Sequence, residues 1–308
     1  MNLLGVAAEY RVTHHAPQPF FTTTVDICCR MTISFENNNN ASCTADNASS
    51  TNDTTEVTTI IFDVDDTLYD VDTGFTAHRN GAIVQQYMVD HFKFSSLQEA
   101  KELRDEYFER YHATAKALTV AQQEGRFPPG APTFDTAHLA DYWATHLDYS
   151  KLGGPKKELK RKLQSLPLTL VAFSNGPKAY VRKVLEALDL LDVFGDEGLY
   201  AVDDVLPYCK PEAAAFEKIF ENIGRPSVKS CIMVEDSMKN ILQAKKLGMK
   251  TILITGKSEE GRILPEDRPE VNDPAVDFSI ATIEELPNAL PGLWATPPVF
   301  DPTSAYAN

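Results

Sequence analysis

The feature that most constrains this chain is a strict alternation of short apolar strands and amphipathic helices after Pro155. Helical patterns separate strand patterns that cover residues 168–173, 199–202, 231–234, 251–254 and 278–281. The helical patterns include residues 212–223, 238–247 and 283–290. Strand and helix in turn are typical of a parallel sheet that is covered by helices on both faces.

An earlier strand is separated from that series by a long helical stretch. Residues 57–62 are β-branched and apolar, as a buried parallel strand should be. Residues 74–154 carry helical spacing, and Ser96 with Glu99 predicts a capping box within them. The predicted fold is therefore α/β, a Rossmann-like parallel sheet core (57–73 and 155–292) with a helical cap (74–154) inserted after the first strand.

Both ends of the chain have the composition of unfolded segments. Residues 1–56 contain an asparagine run followed by a tract of Ser, Thr, Asn, Ala and Asp, which predicts a disordered low-complexity segment. Residues 293–308 are predicted to be a flexible tail. The first 25 residues lack the charged-then-apolar pattern of a signal peptide, so we expect a cytoplasmic location. An organelle transit peptide is the alternative, because these residues are poor in acids.

Composition excludes several classes of protein. The net charge of -15 argues against a protein that mainly binds nucleic acid polymers or an anionic membrane surface. Apolar runs are too short to predict a transmembrane helix. Five cysteines without a C-x-x-C pair predict reduced thiols rather than a disulfide framework or a zinc site. The charge does not exclude a small phosphorylated substrate, because a local cation can override the global field.

Polar side chains gather where the strand patterns end. In chain order they are Asp63, Asp65, Ser174, Asn175, Lys210, Glu235 and Asp236. Ligands of open α/β sheets bind beyond the carboxyl ends of the strands, so we expect these groups to converge. Gathered carboxylates need a hard cation, and oxygen-only ligation favours Mg²⁺. Lys210 and free backbone N–H groups of Asn175 and Gly176, before the helix start at Pro177, suit a phosphate.

Each of these groups has a simpler interpretation when taken alone. Asp63 and Asp65 could cap a helix or form a turn, and Ser174–Asn175 could be a cap. Lys210 before a proline could be a solvated helix start, and Glu235 with Asp236 could be an acidic pair favoured by a helix dipole. An EF-hand is excluded, because Leu68 replaces the required glycine. Each of the four groups follows a different strand pattern, and their joint occurrence at strand ends favours a single site.

The four motifs, in this order, resemble those of the haloacid dehalogenase superfamily of phosphohydrolases. They are Asp63-Val64-Asp65-Asp66-Thr67, Ser174-Asn175, Lys210 and Glu235-Asp236, and the resemblance covers residues 57–292. Three longer stretches are similar to the pyrimidine 5'-nucleotidase branch of yeasts and plants: Asp65-Asp66-Thr67-Leu68-Tyr69, Cys209-Lys210-Pro211 and Asp236-Ser237-Met238-Lys239-Asn240-Ile241. That branch carries a helical cap after the first strand.

The resemblance implies roles for the acids. A phosphomonoester dianion repels nucleophiles, so attack needs charge neutralisation and an in-line carboxylate. Asp63 would be that nucleophile, and Asp65 would protonate the leaving oxygen and then activate water. Mg²⁺ would be held by the Asp63 carboxylate, the Asp65 main-chain carbonyl and Asp236. Glu235 would be either a further ligand or an anchor for the others.

The resemblance also implies the surroundings of the phosphoryl group. Ser174, Asn175 and Lys210 would bind it, and Thr67 would brace the loop by hydrogen bonding. The cap helix end that carries Tyr111, Thr114 and Lys116 would lie over the active site, where Tyr111 and Thr114 could contact substrate. An ordinary amphipathic helix surface is the alternative for all three.

These patterns predict a Mg²⁺-dependent phosphatase for a small phosphorylated metabolite, a pyrimidine nucleoside monophosphate. The rivals are another substrate (a sugar phosphate, phosphoglycolate or a lipid phosphate) and a catalytically silent binding protein on the same scaffold. A dehalogenase is disfavoured, since its chemistry does not require Asp65 as an acid or the magnesium site. The sequence leaves the oligomeric state open.

Overall fold

The computed structural model describes residues 56–257 and 269–294. The predictions for the low-complexity segment therefore fall almost wholly outside the described residues. The same holds for the tail from residue 295 onward.

A single sheet of six parallel strands forms the centre of the molecule, in the order β3-β2-β1-β4-β5-β6. The strands are β1 (Thr59–Phe62), β2 (Thr169–Phe173), β3 (Leu199–Tyr200), β4 (Cys231–Glu235), β5 (Lys250–Ile254) and β6 (Phe278–Ile280). All four residues of β1 are buried, and the strand lies between β2 and β4, with Phe62 opposite Ala172 and Val234. This arrangement confirms the predicted fold class.

The residues between β1 and β2 form only helices and loops. Residues 74–154 of this stretch are called the helical insert below. Its α-helices are α1 (Phe75–His78), α2 (Val84–Phe92), α3 (Leu97–Tyr111), α4 (Thr114–Gln123) and α5 (Thr136–His146). A π-helical turn, Arg79–Ile83, joins α1 to α2, and 3₁₀ turns cover Val71–Thr73 and Tyr149–Leu152.

The remaining helices cover the sheet. They are α6 (Lys157–Gln164), α7 (Lys178–Ala187), α8 (Leu191–Phe194), α9 (Val202–Val205), α10 (Ala213–Asn222), α11 (Met238–Leu247) and α12 (Leu286–Ala289). Further 3₁₀ turns cover Val228–Ser230, Ile283–Glu285 and Pro291–Leu293. No helix in the described ranges is both long and apolar enough to span a membrane.

Three boundaries differ from the sequence prediction. Strand β3 is shorter than expected, because Val202 already begins α9. The helix predicted over residues 283–290 is split into a 3₁₀ turn and α12, since Pro287 lacks the N–H of a helix interior and is placed in a first turn. The predicted tail begins too early: Leu293 is buried, and the Trp294 indole donates to the Lys162 carbonyl at 3.2 Å.

The helix caps agree with the sequence prediction except in one hydrogen bond. The Ser96 hydroxyl accepts from the Glu99 N–H at 3.2 Å, as a capping box requires, but the Glu99 carboxylate accepts from the N–H and hydroxyl of Ser95. Gly248 ends α11 in the left-handed conformation with φ 101°, which glycine adopts without strain.

The helical insert and the sheet share one hydrophobic core. Buried side chains of the insert, among them Tyr87, Tyr107 and Trp143, belong to the same cluster as Phe62 and Val234 of the sheet. Helix α5 packs against α7, where the Trp143 and Tyr180 rings meet edge to face at 5.1 Å. This packing fixes one end of the insert over the carboxyl edge of the sheet.

Candidate active site

Three carboxylates meet at the carboxyl edge of the sheet. Asp63 directly follows β1, and its N–H donates to the Val234 carbonyl of β4 at 2.9 Å. Glu235 is the last residue of β4, and Asp236 follows it. Carboxylate oxygens of Asp63, Glu235 and Asp236 lie within 4.8 Å of one another. Two neighbouring parallel strands thus bring the predicted acids together.

Lys210 is the cation that faces these acids. Its Nζ donates to Asp63 Oδ1 at 2.6 Å, to Glu235 Oε2 at 2.9 Å and to the Phe173 carbonyl at 2.7 Å. Its side chain is only 1% exposed. Burial disfavours the ammonium charge, but the two carboxylates outweigh it and raise the pKa of Lys210. Lys210 is therefore a permanent positive charge beside the Asp63 carboxylate.

The acids still outnumber the cation. Burial and the charges of Glu235 and Asp65 raise the pKa of Asp63 to about 8, against the opposing effect of Lys210. A carboxylate that must act as a nucleophile has to be ionised at neutral pH. The donor set therefore fits a hard divalent cation, because such an ion would neutralise the excess negative charge through oxygen ligands.

Glu235 has no oxygen left for direct ligation. Its Oε2 accepts from Lys210 Nζ and from Asn240 Nδ2 at 3.0 Å, and its Oε1 accepts from the N–H groups of Asp236 and Ser237 at 3.2 Å each. Four donors satisfy a carboxylate. Of the two roles left open by the sequence, the geometry supports the anchor: Glu235 holds Lys210 and orients the loop that carries Asp236.

Asp65 is surrounded by donors from three parts of the fold. Arg79 of the insert pairs with its Oδ2 at 2.7 Å, and the hydroxyls of Tyr69 and Tyr180 donate to its Oδ1 at 2.7 and 2.6 Å. Ser174 donates to Oδ2 at 3.3 Å. Burial opposes ionisation, but Arg79 and the tyrosines hold the pKa of Asp65 below its usual value. The carboxylate is thus ionised and fixed in orientation.

Ser174 and Asn175 lie at the predicted place, but their groups are already bonded. The Ser174 hydroxyl also accepts from the Gly176 N–H at 2.9 Å, so that N–H does not face an anion as expected. The Asn175 amide bonds the main chain of Lys210 in both directions, donating to its carbonyl and accepting from its N–H at 2.9 Å each. Asn175 therefore positions Lys210, and its side chain does not point to a phosphate.

The prediction for Thr67 was wrong in its detail. Thr67 is buried next to the acids, yet among the described residues its hydroxyl has no hydrogen-bond partner. The expected hydrogen bond that would brace the loop is therefore not present among the described residues.

A cavity lies between the acidic edge and the helical insert. Its wall includes Asp63, Asp65, Asn175, Lys210, Glu235 and Asp236 from the sheet edge, and Arg79, Asn80, Phe108, His112, Thr114 and Trp143 from the insert. Thr114 is therefore placed at the cavity as predicted. Tyr111, the last residue of α3, is not among the lining residues, whereas Phe108, three residues before it, and His112, the residue after it, are.

Lys116 also misses the cavity wall. Its ammonium pairs with the Glu212 carboxylate at the start of α10 and lies over the Tyr111 ring. It is therefore a link between the insert and the core.

Sequence reasoning missed the groups that hold Asp65. Tyr69 lies four residues after Asp65 in the sequence. The sequence also contains an indication for Arg79, which precedes Ile83 by four residues and Tyr87 by eight and so lies on the buried face of the helical pattern. A charge on a buried face needs a partner. The partner itself could not be named, because Asp65 and Tyr180 come from other elements.

The parallel sheet, with two aspartates, a glutamate and a buried lysine at its carboxyl edge, is the arrangement that the sequence led us to expect of a hydrolase. Residues 57–248 match the haloacid dehalogenase-like hydrolase family, which is more than half of the 308 residues. The chain belongs to this family.

Solved structures with the same fold cover most of the chain. CbbY from Rhodobacter sphaeroides in complex with phosphate has a TM-score of 0.51 at 16% identity, over 75% of this chain and 96% of that chain. A HAD phosphatase from Thermococcus onnurineus has a TM-score of 0.49 at 20% identity, over 77% and 99%. L-2-haloacid dehalogenase from Xanthobacter autotrophicus has 0.44 at 19% identity, over 75% and 97%. At such identities the likeness concerns the fold.

Proposed function

We propose that the chain is a Mg²⁺-dependent phosphomonoester hydrolase that acts through an aspartyl-phosphate intermediate, with a pyrimidine nucleoside monophosphate as substrate. One observation carries the proposal: the Asp63 carboxylate lies on the cavity wall, 2.6 Å from a buried lysine and beside a second, firmly held carboxylate. This set provides a nucleophile, a charge for the phosphoryl group and a group for proton transfer.

The chemistry has two steps. Asp63 Oδ attacks phosphorus while the bond to the leaving oxygen breaks, and that oxygen takes a proton from Asp65. Water then attacks the phosphorus of the aspartyl-phosphate, Asp65 accepts the proton, and the Asp63 carboxylate is regenerated as phosphate leaves. Lys210 stabilises the negative charge of the transferring group. The described hydrogen bonds of Asp65 correspond to its ionised, proton-accepting state, so Asp65 must take up a proton from solvent before the first step, and it returns a proton to solvent after the second.

The Asp63 carboxylate, the Asp65 main-chain carbonyl and the Asp236 carboxylate would hold Mg²⁺. The ion would supply neutralisation of charge on the phosphoryl oxygens. Glu235 would keep Lys210 and the Asp236 loop in place without contacting the ion, as its four hydrogen bonds support.

The substrate class is supported by the resemblance of the motif sequences and by the character of the insert side of the cavity. Phe108, Asn80 and Thr114 offer an aromatic ring, an amide and a hydroxyl there. We also infer a cytoplasmic location, which agrees with Cys209 and Cys231 being free thiols.

The test is hydrolysis of a panel of phosphomonoesters by the purified chain, with Mg²⁺ and with excess chelator. The panel would include nucleoside monophosphates, sugar phosphates, phosphoglycolate and a lysophospholipid phosphate. Preference for pyrimidine nucleotides in Mg²⁺ supports the proposal, and preference for another compound corrects the substrate alone. Absence of turnover on every compound would leave the silent binding protein as the function.

A further inference from the structure

Phe108 is an aromatic residue that the hydrophobic core does not use. It lies in α3, is half-buried and lines the cavity. Within the described residues it belongs to none of the hydrophobic clusters, whereas its neighbour Tyr111 packs against the main one. Its ring contacts are the His112 imidazole, at 5.7 Å between centroids, and the guanidinium of Arg104. One part of its apolar surface is therefore presented to the cavity.

Arg104 stacks on the Phe108 ring without lining the cavity. Its guanidinium carbon lies 3.8 Å from the ring centroid, and the residue is 4% exposed. It pairs with Asp105 at 3.0 Å, but its Nε and Nη2 are buried with no hydrogen-bond partner in the described ranges. Such burial is costly. A cation against one face of an aromatic ring draws electron density toward itself, which makes the other face less negative.

Asn80 offers a hydrogen-bond donor on the same wall. Its Oδ1 accepts from Arg79 Nε at 3.2 Å, which fixes the orientation of the amide, because Nε can only donate. Thr114 Oγ1 approaches the same oxygen at 3.5 Å. Among the described residues Asn80 Nδ2 has no partner, although Asn80 is only 5% exposed and lines the cavity. This N–H₂ is therefore available to a ligand.

We propose that Phe108 and Asn80 form the subsite for the leaving group of the substrate, and that this subsite takes a planar, carbonyl-bearing ring. The ligand ring stacks on the free face of Phe108. Arg104 makes that face less negative, so that it attracts the electron-rich carbonyl groups of the ligand. Asn80 Nδ2 donates a hydrogen bond to a carbonyl oxygen of the ligand ring. The proposal rests on the proposed phosphatase function, which it deepens by naming the residues that select the substrate. A pyrimidine base has the required chemistry.

Two substrates separate recognition of the ring from the reaction itself. Uridine 5'-monophosphate and ribose 5-phosphate share the phosphate and the sugar, and only the first carries a planar base. Phe108→Leu keeps apolar volume and removes the aromatic face. We expect kcat/KM for uridine 5'-monophosphate to fall about tenfold or more, since the base loses the aromatic ring on which it stacks. The value for ribose 5-phosphate should change by less than about twofold.

Three further variants complete the design. Phe108→Tyr keeps the ring and should retain the preference for the nucleotide. Arg104→Met should lower kcat/KM for the nucleotide selectively and by less than Phe108→Leu. Asn80→Ala should lower it more for the nucleotide than for ribose 5-phosphate, with a smaller loss common to both substrates, because Arg79 Nε loses its acceptor. Phe127→Leu is the matched control, because Phe127 packs against Phe92 and Phe94 and is not among the cavity-lining residues; it should not alter the preference between the two substrates.

The outcomes are distinguishable. An equal loss of kcat/KM on both substrates in Phe108→Leu would overturn the subsite but not the proposed phosphatase activity. Full retention of the preference for the nucleotide in Phe108→Leu would do the same. If the wild type hydrolyses neither compound nor any other phosphomonoester, the proposed function fails and the subsite proposal fails with it. Thermal unfolding of each variant shows whether a loss comes from misfolding, and recovery in Phe108→Tyr would exclude that cause.

Discussion

The two walls of the cavity are built in different ways. On the sheet side, Asp63 and Glu235 follow adjacent parallel strands, so their spacing is set by the backbone hydrogen bonds of β1 and β4. On the insert side, Arg79, Asn80 and Phe108 come from a π-helical turn and the face of a long helix. Their approach to the acids depends on how the insert docks, through contacts such as Trp143 with Tyr180.

From this comparison we infer that the groups of the proposed reaction and those of its selectivity lie on separate walls. The sheet edge carries groups for phosphoryl transfer, and these are bonded to one another. On our proposal the insert carries the groups that face a leaving group, and its Arg79 reaches across to Asp65. Substitutions on the sheet side should therefore abolish turnover, whereas those on the insert side should change which substrates react and how.

The largest effect is expected from Asp63. Asp63→Asn keeps the shape of the side chain but removes the attacking charge, so turnover should fall by on the order of a thousandfold or more. Steady-state kinetics with the best phosphomonoester of the panel measures this. Asp72→Asn, at an exposed acid in the following 3₁₀ turn, is the matched control and should leave turnover unchanged. Retention of more than about a tenth of wild-type turnover in Asp63→Asn would contradict the aspartyl-phosphate mechanism.

A comparison of Asp236 with Glu235 tests which acid holds the metal. Asp236→Ala removes a proposed ligand, so the Mg²⁺ concentration for half-maximal activity should rise about tenfold or more. Glu235→Gln should shift that concentration less, and it should lower stability by less than the ~3–5 kcal/mol of a fully broken buried ion pair, because Lys210 keeps Asp63 as a counter-ion. Mg²⁺ titrations of activity and denaturant unfolding measure the two effects. The reverse pattern would make Glu235 the ligand.

Arg79 tests the ion pair between the insert wall and Asp65 of the sheet wall. Arg79→Met removes the ion pair that orients Asp65, so kcat/KM for alkyl phosphates should fall about a hundredfold, within the range of general acid catalysis. p-Nitrophenyl phosphate, whose leaving group needs no proton, should lose much less. Arg79→Lys should recover part of the loss. An equal loss on both kinds of substrate would show that Arg79 acts on the phosphoryl group or on folding.

The sheet wall could be predicted from the sequence because strand ends are local features. Asp63 and Asp236 each follow an apolar run, and parallel pairing brings such ends to one edge whatever the rest of the fold does. The insert wall could not be predicted in this way. On α3 the choice between Tyr111 and Phe108 as the residue at the cavity depends on the rotation of the helix, and both lie on its partly buried side.

Hydrogen-bond partners were beyond the sequence for a related reason. Asn175 was expected to bind phosphate, and the Thr67 hydroxyl was expected to hold the loop. Whether a short polar side chain bonds a ligand, the main chain or nothing depends on distances of a few tenths of an ångström. Sequence spacing places such a residue at a site, but it does not assign its partner.

The smallest effect is expected far from the sheet edge, in a histidine cluster of the insert that the sequence did not predict. His91 of α2 meets His138 of α5, with 4.5 Å between ring centroids. Partial burial, His138 and His146 lower the pKa of His91, against the opposing charge of Asp90. A lowered pKa in the folded state means that the stability contributed by neutral His91 is present above its unfolded pKa and is lost as pH falls below about 6.5.

Unfolding in denaturant at pH 7.5 and 5.5 measures this loss. The free energy of unfolding should fall on acidification, and it should fall less in His91→Gln than in the wild type, with a difference below about 1 kcal/mol because water screens the partly exposed rings. An equal loss of stability in the wild type and in His91→Gln would contradict this prediction. Phosphatase turnover at pH 7.5 should be the same in both proteins, because His91, His138 and His146 are not among the residues that line the cavity.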